Sequence, residues 1–505
     1  MKKIISVIIV LGYTIYVFAQ QIARVTVQGN STLTISRHIY GHFAEHLGRC
    51  IYDGFYKDGK IRMDVVEALQ KIRVPNLRWP GGCFADRYHW RDGIGPKDKR
   101  PLRVNSTWGM VPEENSFGTQ EFLELCKLLN CEPYLAANMG TGSPQEMSDW
   151  IEYLNFNGKN ELTELRKANG HPDPYHVSFW GIGNESWGCG GAMTPEYYSN
   201  LFKQYSSFCL DYPDAPLFKV ASGPFNYDFN WTDVFMKNVP LNLVNGLSLH
   251  YYTIPSQQWD NKGSATDFTE REYFTTMWQA LRMDIIISIN EGIMNHFDLQ
   301  KKVALVVDEW GVWTNVEPGT NPEFLYQQNS LRDALVAGST LNIFNNHCER
   351  VRVACLAQTL NVLQSLILTD KDKMILTPTY HVFDLYKVHQ DAKLLPIHIE
   401  TPYWHNGKDS VPSVNVSASK DSNNIVHISL VNLDPNNMIK IRTTLNDISY
   451  KTVTGQILTS IKVTDINTFD APNTIRIQKF TGAKKQGDEL VMELPSKSVV
   501  VLELR

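Results

Sequence analysis

Two glutamates each follow an apolar run that is typical of a buried strand. Glu185 closes the run 177–183, and Glu309 closes the run 303–307. Cleavage of a glycosidic bond needs such a pair, because one carboxyl group protonates the leaving oxygen while the other attacks the sugar or directs water. A single strand-end glutamate more often belongs to a structural ion pair, so the prediction depends on both occurring together.

Residues that suit a sugar ligand lie at or just after the ends of these two apolar runs and of other apolar runs that predict strands. Acids and amides hydrogen-bond hydroxyl groups, and aromatic rings pack against the carbons of a sugar ring. We therefore predict a site for a polyhydroxylated ligand at one end of the predicted sheet. The candidate contacts are Glu45, Cys83, Asn184, Trp187, His250, Tyr252, Trp310 and Gln358.

One motif competes with the glycosidase hypothesis. Residues 42–46, His-Phe-Ala-Glu-His, match the H-x-x-E-H pattern of a zinc peptidase. That chemistry requires both histidines on one helical face, whereas the flanking residues predict a strand followed by a loop. We therefore expect these histidines to line or support a ligand pocket.

The eight cysteines are scattered through apolar segments without a C-x-x-C pair, so a zinc cluster is not expected. Most are interpreted as buried free thiols. Cys189, in a Gly-Cys-Gly-Gly segment, is a candidate nucleophile without an obvious base nearby, although His250 could approach it in the fold. A thiol that packs within a loop is the favoured interpretation.

Apolar runs alternate with segments of helical periodicity from the first strand to about residue 390. Continuous apolar runs suit a parallel sheet that is buried on both faces. We predict a (β/α)8 TIM barrel, and disfavour an open doubly wound sheet because no glycine-rich phosphate fingerprint follows the first strand. The predicted strands are 39–44, 76–79, 133–138, 177–183, 218–222, 246–251, 303–307 and 353–357, and the predicted helices include 63–72, 119–129, 194–209, 273–294 and 322–344.

The pattern changes near residue 394 to short alternating runs between Asn, Asp, Ser and Thr clusters, which is typical of an antiparallel β-sandwich. The strand-like residues 24–27 lack a helix partner and are expected to join it. The predicted organisation is a signal peptide (1–20), an N-terminal strand of the sandwich (21–35), a catalytic barrel (36–390) and a C-terminal β-sandwich (391–505).

The N-terminus carries Lys2 and Lys3, a short apolar run and then Ala19. This pattern predicts a cleaved signal peptide, and therefore an exported protein, periplasmic or extracellular, without a membrane anchor after cleavage. The formal net charge of −5 and the absence of a basic stripe argue against nucleic acid as a partner.

Six stretches, in order across the predicted barrel, resemble the α-L-arabinofuranosidases of glycoside hydrolase family 51. The resemblance implies a barrel followed by a jelly-roll-like domain. It also implies a retaining double displacement in which Glu185 is the general acid/base and Glu309 the nucleophile. The matching stretches are IYGHFAEHLGRCIYDG (39–54), LRWPGGCFADRYHWRDGIGP (77–96), FWGIGNESWGCGG (179–191), LSLHYY (247–252), VVDEWGVW (306–313) and RVRVACLAQTLNVLQSLILTD (350–370).

The same resemblance implies roles for the pocket residues. Asn184 would bond the sugar 2-hydroxyl, Glu45 would hold furanose hydroxyls, Tyr252 would bond the nucleophile, and Gln358 would line the same subsite. No cofactor or catalytic metal is implied.

Two positions depart from the family pattern. Cys83 stands where many members have an asparagine that contacts the sugar, and Arg87 stands where similar sequences often have an acid. Because a thiol is a weak hydrogen-bond partner, these changes bear on substrate preference more than on reaction type.

The sequence therefore predicts an exo-acting retaining glycosidase that releases terminal α-L-arabinofuranosyl residues from arabinan, arabinoxylan or related oligosaccharides. The alternatives are a retaining β-xylosidase or endo-glucanase with the same two glutamates, and a non-catalytic glycan-binding protein. The family resemblance also suggests a homo-oligomer.

Overall fold

The computed structural model describes residues 21–505. Eight parallel strands form a closed barrel in which each strand pairs with its neighbours in chain order, and the last pairs with the first. This confirms the predicted barrel. The barrel strands, one to eight, are Gly41–Phe43, Asn76–Trp79, Glu132–Ala137, Phe179–Ile182, Phe218–Ala221, Gly246–Thr253, Ala304–Val312 and Val351–Ala357.

The helices follow the predicted periodicity except at one place. The predicted segment 322–344 is divided into a short 3-10 turn, Pro322–Phe324, and a helix that begins at Leu331. Leu325 takes a left-handed φ of 50°, and a capping box of Ser330 with Asp333 starts the new helix. The α-helices are Met63–Lys71, Thr119–Leu129, Pro144–Asn155, Glu161–Ala168, Pro195–Phe208, Phe229–Asn238, Glu270–Phe297, Leu331–Asn346 and Pro378–Tyr386.

Barrel strands six and seven extend further than the sequence pattern predicts. Strand six reaches Thr253 and strand seven reaches Val312. The apolar pattern ends early because polar side chains point into the barrel there, while the backbone ladder continues past shifts in register. Glu309 therefore lies within strand seven rather than after it.

The C-terminal part forms two packed sheets, as predicted. The N-terminal strand Ile22–Gln28 lies in the five-stranded sheet, antiparallel to Ile397–Glu400 and parallel to Ile439–Asn446. Glu489–Leu494 and Ala483–Gln486 complete this sheet. The six-stranded sheet contains, in spatial order, Lys393–Leu394, Val414–Lys420, Val426–Asn432, Ser498–Leu504, Val453–Thr459 and Gln478–Phe480.

The helix Leu331–Asn346 joins the two parts. It is buried along almost its whole length, and its asparagines face the sandwich strand Val414–Lys420. Asn345 donates to Ser417 Oγ at 3.1 Å, and Ser417 donates to Asn342 Oδ1 at 2.7 Å. The sandwich thus packs against a helix of the catalytic barrel and is hydrogen-bonded to it.

Candidate active site

Glu309 is held by donors from two other strands. Arg78, from strand two, donates to Glu309 Oε1 at 2.8 Å, and Tyr252, from strand six, donates to Oε2 at 2.8 Å. Gly82 lies so close that a Cβ there would be 2.7 Å from Oε1. The carboxylate is therefore fixed in orientation and faces the barrel axis.

Glu185 approaches from the opposite side of the barrel. It takes a left-handed φ of 41°, a conformation that non-glycine residues adopt mainly where the surroundings enforce it. Its carbonyl accepts from the amides of Gly188 at 2.7 Å and Gly190 at 3.1 Å, which closes the loop after strand four. One carboxylate oxygen of Glu185, one of Glu309 and a ring nitrogen of His250 lie within 4.8 Å of one another.

His250 lies between the carboxylates. Its Nδ1 is 2.9 Å from Glu185 Oε1 and 3.6 Å from Glu309 Oε2, and its Nε2 is 3.3 Å from Asp308 Oδ1. Burial opposes a charge on this ring, but the three carboxylates raise the pKa of His250 to about 10. The imidazolium of His250 therefore positions the carboxylates of Glu185, Asp308 and Glu309. These contacts explain the position of His250 without the predicted contact to a sugar.

Burial is the main cause that raises the pKa of Glu185, and the nearby charge of Glu309 raises it further, while the bond to His250 opposes the shift. The pKa of Asp308 moves the other way despite its burial, because Arg78 and His250 stabilise its charged form. Tyr134 also donates to Asp308 at 2.7 Å. The pKa of Glu185 is thus raised mainly by burial, whereas the pKa of Asp308 is lowered by its charged partners.

Glu45 closes the pocket on another side. Its Oε1 accepts from the amides of Gly82 and Phe84 at 3.1 Å and from the indole of Trp108 at 3.0 Å, and Gln358 donates to Oε2 at 3.0 Å. Burial, with a smaller contribution from the charge of Glu309, raises the pKa of Glu45 to about 7. The structure brings Glu45 and Gln358 together, as their positions after strands one and eight predict.

Asn184 lies beside the two glutamates, and Trp187 lies further along the same loop. Arg78 donates to Asn184 Oδ1 at 2.6 Å, and the amide nitrogen of Asn184 lies 3.8 Å from Cys189 Sγ. Trp187 is half-buried, donates to the carbonyl of Gly223 at 3.2 Å and stacks on Phe225 at 5.1 Å.

Trp310 does not belong to this group. Its ring packs against Phe344 and Phe383 at centroid distances of 5.3 and 6.3 Å, and only 1% of the residue is exposed. Successive side chains of a strand point to opposite faces. With Glu309 directed inward, Trp310 is directed toward the surrounding helices, so its predicted contact with a ligand is wrong.

Cys83 and Cys189 form a disulfide at the pocket rim. The interpretation of Cys189 as a free packing thiol is therefore wrong, as is a free Cys83 thiol in contact with the ligand. The two residues are 106 positions apart in sequence, and connectivity at such a separation is not readable from cysteine spacing. The other six cysteines are free, in agreement with the sequence analysis.

The zinc-peptidase motif does not converge. His42 packs against Phe383 at a centroid distance of 4.6 Å, whereas His46 bonds Glu113 at 2.9 Å and accepts from the indole of Trp79 at 3.1 Å. The two rings serve different parts of the barrel core, so the pattern is coincidental.

Three functional-site residues are missed by the sequence reasoning. Arg78 lies inside an apolar strand, and its role depends on partners from two other strands. Trp108 comes from the hairpin of Arg103–Asn105 and Val111–Glu113, which folds over the pocket. Trp313 contacts Tyr252 edge-to-face at 5.0 Å. Arg78 and Trp313 carry a signal in the sequence, since they lie in the family-matching stretches 77–96 and 306–313, whereas Trp108 lies outside those stretches.

A closed parallel barrel in which an oxygen of a carboxylate on strand seven lies within 4.8 Å of an oxygen of a carboxylate just after strand four has the arrangement of the retaining barrel glycoside hydrolases. Retaining enzymes bring these groups to about 5–5.5 Å, whereas inverting enzymes leave room for a water between them. Comparison with known proteins gives the family. The model of the α-L-arabinofuranosidase 1 domain matches residues 68–271, and that of the α-L-arabinofuranosidase C-terminal domain matches residues 308–498.

Relatives agree with these matches. An intracellular exo-α-L-arabinofuranosidase of Bacteroides ovatus is 46% identical over 98% of both chains. The crystal structure of the family 51 arabinofuranosidase of Xanthomonas axonopodis pv. citri has a TM-score of 0.94 and 45% identity, over 96% of this chain and all of that one. An arabinose complex from Thermotoga maritima has a TM-score of 0.82 and 32% identity, over 95% of this chain and 99% of that one. The chain belongs to the α-L-arabinofuranosidases of glycoside hydrolase family 51.

The comparison contradicts the predicted export. The Bacteroides ovatus relative, which aligns over 98% of both chains, is named an intracellular enzyme. The predicted signal peptide, residues 1–20, lies outside the described residues. Within residues 21–505, no helix is long and apolar enough to cross a membrane.

Proposed function

We propose that the protein is an exo-acting, retaining α-L-arabinofuranosidase that acts on arabinose-containing plant glycans such as arabinan or arabinoxylan. The observation that carries the proposal is the close approach of the Glu185 and Glu309 carboxylates, within 4.8 Å. The names of the relatives support arabinofuranose as the sugar that is released.

In the first step, Glu309 attacks the anomeric carbon while Glu185 passes its proton to the leaving oxygen. The hydrogen bonds from Arg78 and Tyr252 hold the nucleophile in line. The raised pKa of Glu185 keeps its proton available in the free enzyme. A covalent arabinosyl ester on Glu309 results.

In the second step, Glu185 acts as the base. Formation of the ester removes the negative charge of Glu309, which is one of the causes that raise the pKa of Glu185. The pKa of Glu185 therefore falls in the intermediate, so the carboxylate can take a proton from water. The water attacks the anomeric carbon and releases arabinose with its configuration retained.

We infer that Glu45, Asn184 and Gln358 bind the hydroxyl groups of the terminal sugar. All three are at least 90% buried and directed to the same pocket as Glu309. Because these side chains have so little exposed surface, the pocket suits one terminal sugar better than a sugar in the middle of a polysaccharide. This favours exo action.

Replacement of each glutamate tests the proposal on an aryl α-L-arabinofuranoside. Glu309→Ala should abolish turnover, and added azide should restore it with a β-configured arabinosyl azide as the product. Glu185→Ala should lose far more activity on substrates with poor leaving groups than on activated ones. Glu132→Ala, at a half-exposed side chain outside the pocket, should keep wild-type turnover.

Wild-type turnover in both active-site variants would refute the assignment of the two glutamates. Dominant release of xylose or of gluco-oligosaccharides, on a panel of glycosides, would refute the sugar. Self-association stays a prediction of the family resemblance, which sedimentation velocity would test.

A further inference from the structure

The disulfide Cys83–Cys189 lies directly beside the proposed acid/base. Cys189 Sγ is 3.7 Å and Cys83 Sγ 4.0 Å from the same oxygen, Glu185 Oε2. The two sulfurs and the carboxylate oxygen lie within 4.8 Å of one another. Cys189 is exposed and Cys83 half-buried, so both solvent and a small ion can reach the group.

We propose that reduction of this disulfide creates a binding site for Zn²⁺ made of Cys83, Cys189 and Glu185. Thiolate and carboxylate groups are established zinc ligands, and three protein ligands plus water form an open tetrahedral site. The inference that metal inhibits the enzyme rests on the proposed function of Glu185, whereas the inference that metal binds does not.

The geometry suits a tetrahedral ion once the sulfurs separate. Zinc–sulfur bonds of about 2.3 Å place two thiolates roughly 3.8 Å apart. The Cα atoms of Cys83 and Cys189 are 5.6 Å apart, so side-chain rotation alone can give this spacing. Cys189 is exposed and lies between Gly188 and Gly190 in the loop after strand four, so its side chain has room to turn.

The chemistry balances with a phosphine as the reductant. The phosphine attacks one sulfur, breaks the S–S bond and is oxidised to the phosphine oxide with oxygen from water. Each cysteine then carries one proton. Binding of Zn²⁺ releases both protons to solvent, because the thiolate is the ligand form.

Metal binding would also remove the acid/base. A Glu185 carboxylate that ligates zinc no longer carries a proton for the leaving oxygen, and the ion lies at the rim through which a sugar enters. The reduced enzyme should therefore be inhibited by zinc, while the oxidised enzyme should not respond in this way.

The experiment compares the full chain before and after phosphine reduction, with zinc ion alone as the probe. Thiol counts in denaturant should rise from six to eight per chain on reduction, since six cysteines are free. Competition with a chromophoric zinc indicator should then show one additional Zn²⁺ per chain. Co²⁺ in its place should give a thiolate-to-metal absorption band. Activity should fall at least tenfold with zinc and return with a chelator.

Variants identify the ligands. Cys189→Ser should lose the reduction-dependent zinc site, and Glu185→Gln should bind zinc at least tenfold more weakly. Cys131→Ser, which removes a thiol next to Cys126 and away from the pocket, is the matched control and should bind zinc as the parent does. The glutamate and histidine cluster is present in both redox states, so binding that does not depend on reduction would overturn the proposal.

Zinc binding that persists in Cys189→Ser would also overturn it. If zinc binds as expected but Glu185→Ala keeps full activity on all substrates, the metal site stands and the proposed role of Glu185 fails. If zinc does not bind while Glu185→Ala is inactive, the proposed function stands and this inference fails.

Discussion

The two hydrogen bonds to Glu309 have different consequences for catalysis. Arg78 also donates a hydrogen bond to Asn184, and its guanidinium lies 3.7 Å from the carboxylate of Asp308. Loss of Arg78 would therefore disturb several groups. Tyr252 directs one hydroxyl group to one oxygen of Glu309 and is therefore the cleaner probe. Its ring is fixed edge-to-face by Trp313, so removal of the hydroxyl should leave the ring in place.

Tyr252→Phe should lower kcat/KM by about tenfold to a hundredfold, because a hydrogen bond to a charged group contributes about 1.5–3 kcal/mol. Steady-state kinetics on an aryl arabinofuranoside measure this loss. Tyr251→Phe is the matched control, since its hydroxyl donates to the Gln279 carbonyl at 2.6 Å, away from the pocket. Equal losses in both variants would show that the hydroxyl of Tyr252 has no special role.

The pH dependence of the first step should report Glu185. Its proton is needed for departure of the leaving group, so kcat/KM should fall as the pH rises through a pKa that lies above the ordinary glutamate range. On an aryl arabinofuranoside whose leaving group is assisted by this proton but can depart slowly without it, Glu185→Gln should have a lower kcat/KM and should lack this alkaline fall. The measurement is a pH profile of kcat/KM for both proteins.

Glu45 is the competing source of the alkaline fall, because its pKa is raised to about 7. Glu45→Gln should weaken substrate binding, but the alkaline fall in kcat/KM should occur at the same pH as in the wild type. If the fall vanishes in Glu45→Gln and persists in Glu185→Gln, then Glu45 is the titrating group and the assignment of the acid is wrong.

At the scale of the elements, strand seven separates catalysis from packing within two consecutive residues. Glu309 faces the barrel interior, and Trp310 faces the helices Leu331–Asn346 and Pro378–Tyr386 through Phe344 and Phe383. Trp310→Ala should therefore lower the free energy of unfolding by about 3–5 kcal/mol. The KM of the folded variant should stay close to that of the wild type.

Trp187→Ala should behave in the opposite way. Trp187 is half-buried on the loop that contains Glu185. Compared with Trp310→Ala, its replacement should therefore raise KM more and lower the free energy of unfolding less. Chemical denaturation and steady-state kinetics on both variants give the comparison. A large KM effect in Trp310→Ala, at unchanged stability, would restore that residue to the ligand site.

These elements also show what the sequence could predict. Continuous apolar runs located all eight barrel strands, and the positions of Glu185 and Glu309 followed from them. The apolar pattern predicts ends of strands six and seven that are too early, because polar residues such as Asp308 and Glu309 interrupt this pattern without ending the backbone ladder. Arg78, Trp108 and the disulfide were missed because each depends on contacts between distant segments.

At the scale of the whole molecule, the barrel and sandwich share one buried helix. Asn345 of this helix accepts from Tyr40, at the start of the barrel, at 2.8 Å and donates to Ser417, in the sandwich, at 3.1 Å. The N-terminal strand Ile22–Gln28 further ties the two parts, since the chain enters through the sandwich before it forms the barrel. Separate unfolding of either part would expose this helix and break both connections.

We therefore expect one calorimetric unfolding transition that involves both parts. Asn345→Ala should shift this transition down as a unit, because it leaves the buried hydroxyl group of Tyr40 without a partner, at about 1–3 kcal/mol, and also removes the bond to Ser417. Asn346→Ala, which removes a more exposed bond to the Val416 carbonyl, should shift it less. Two resolved transitions, of which Asn345→Ala moves only one, would show that the sandwich unfolds independently and does not brace the catalytic barrel.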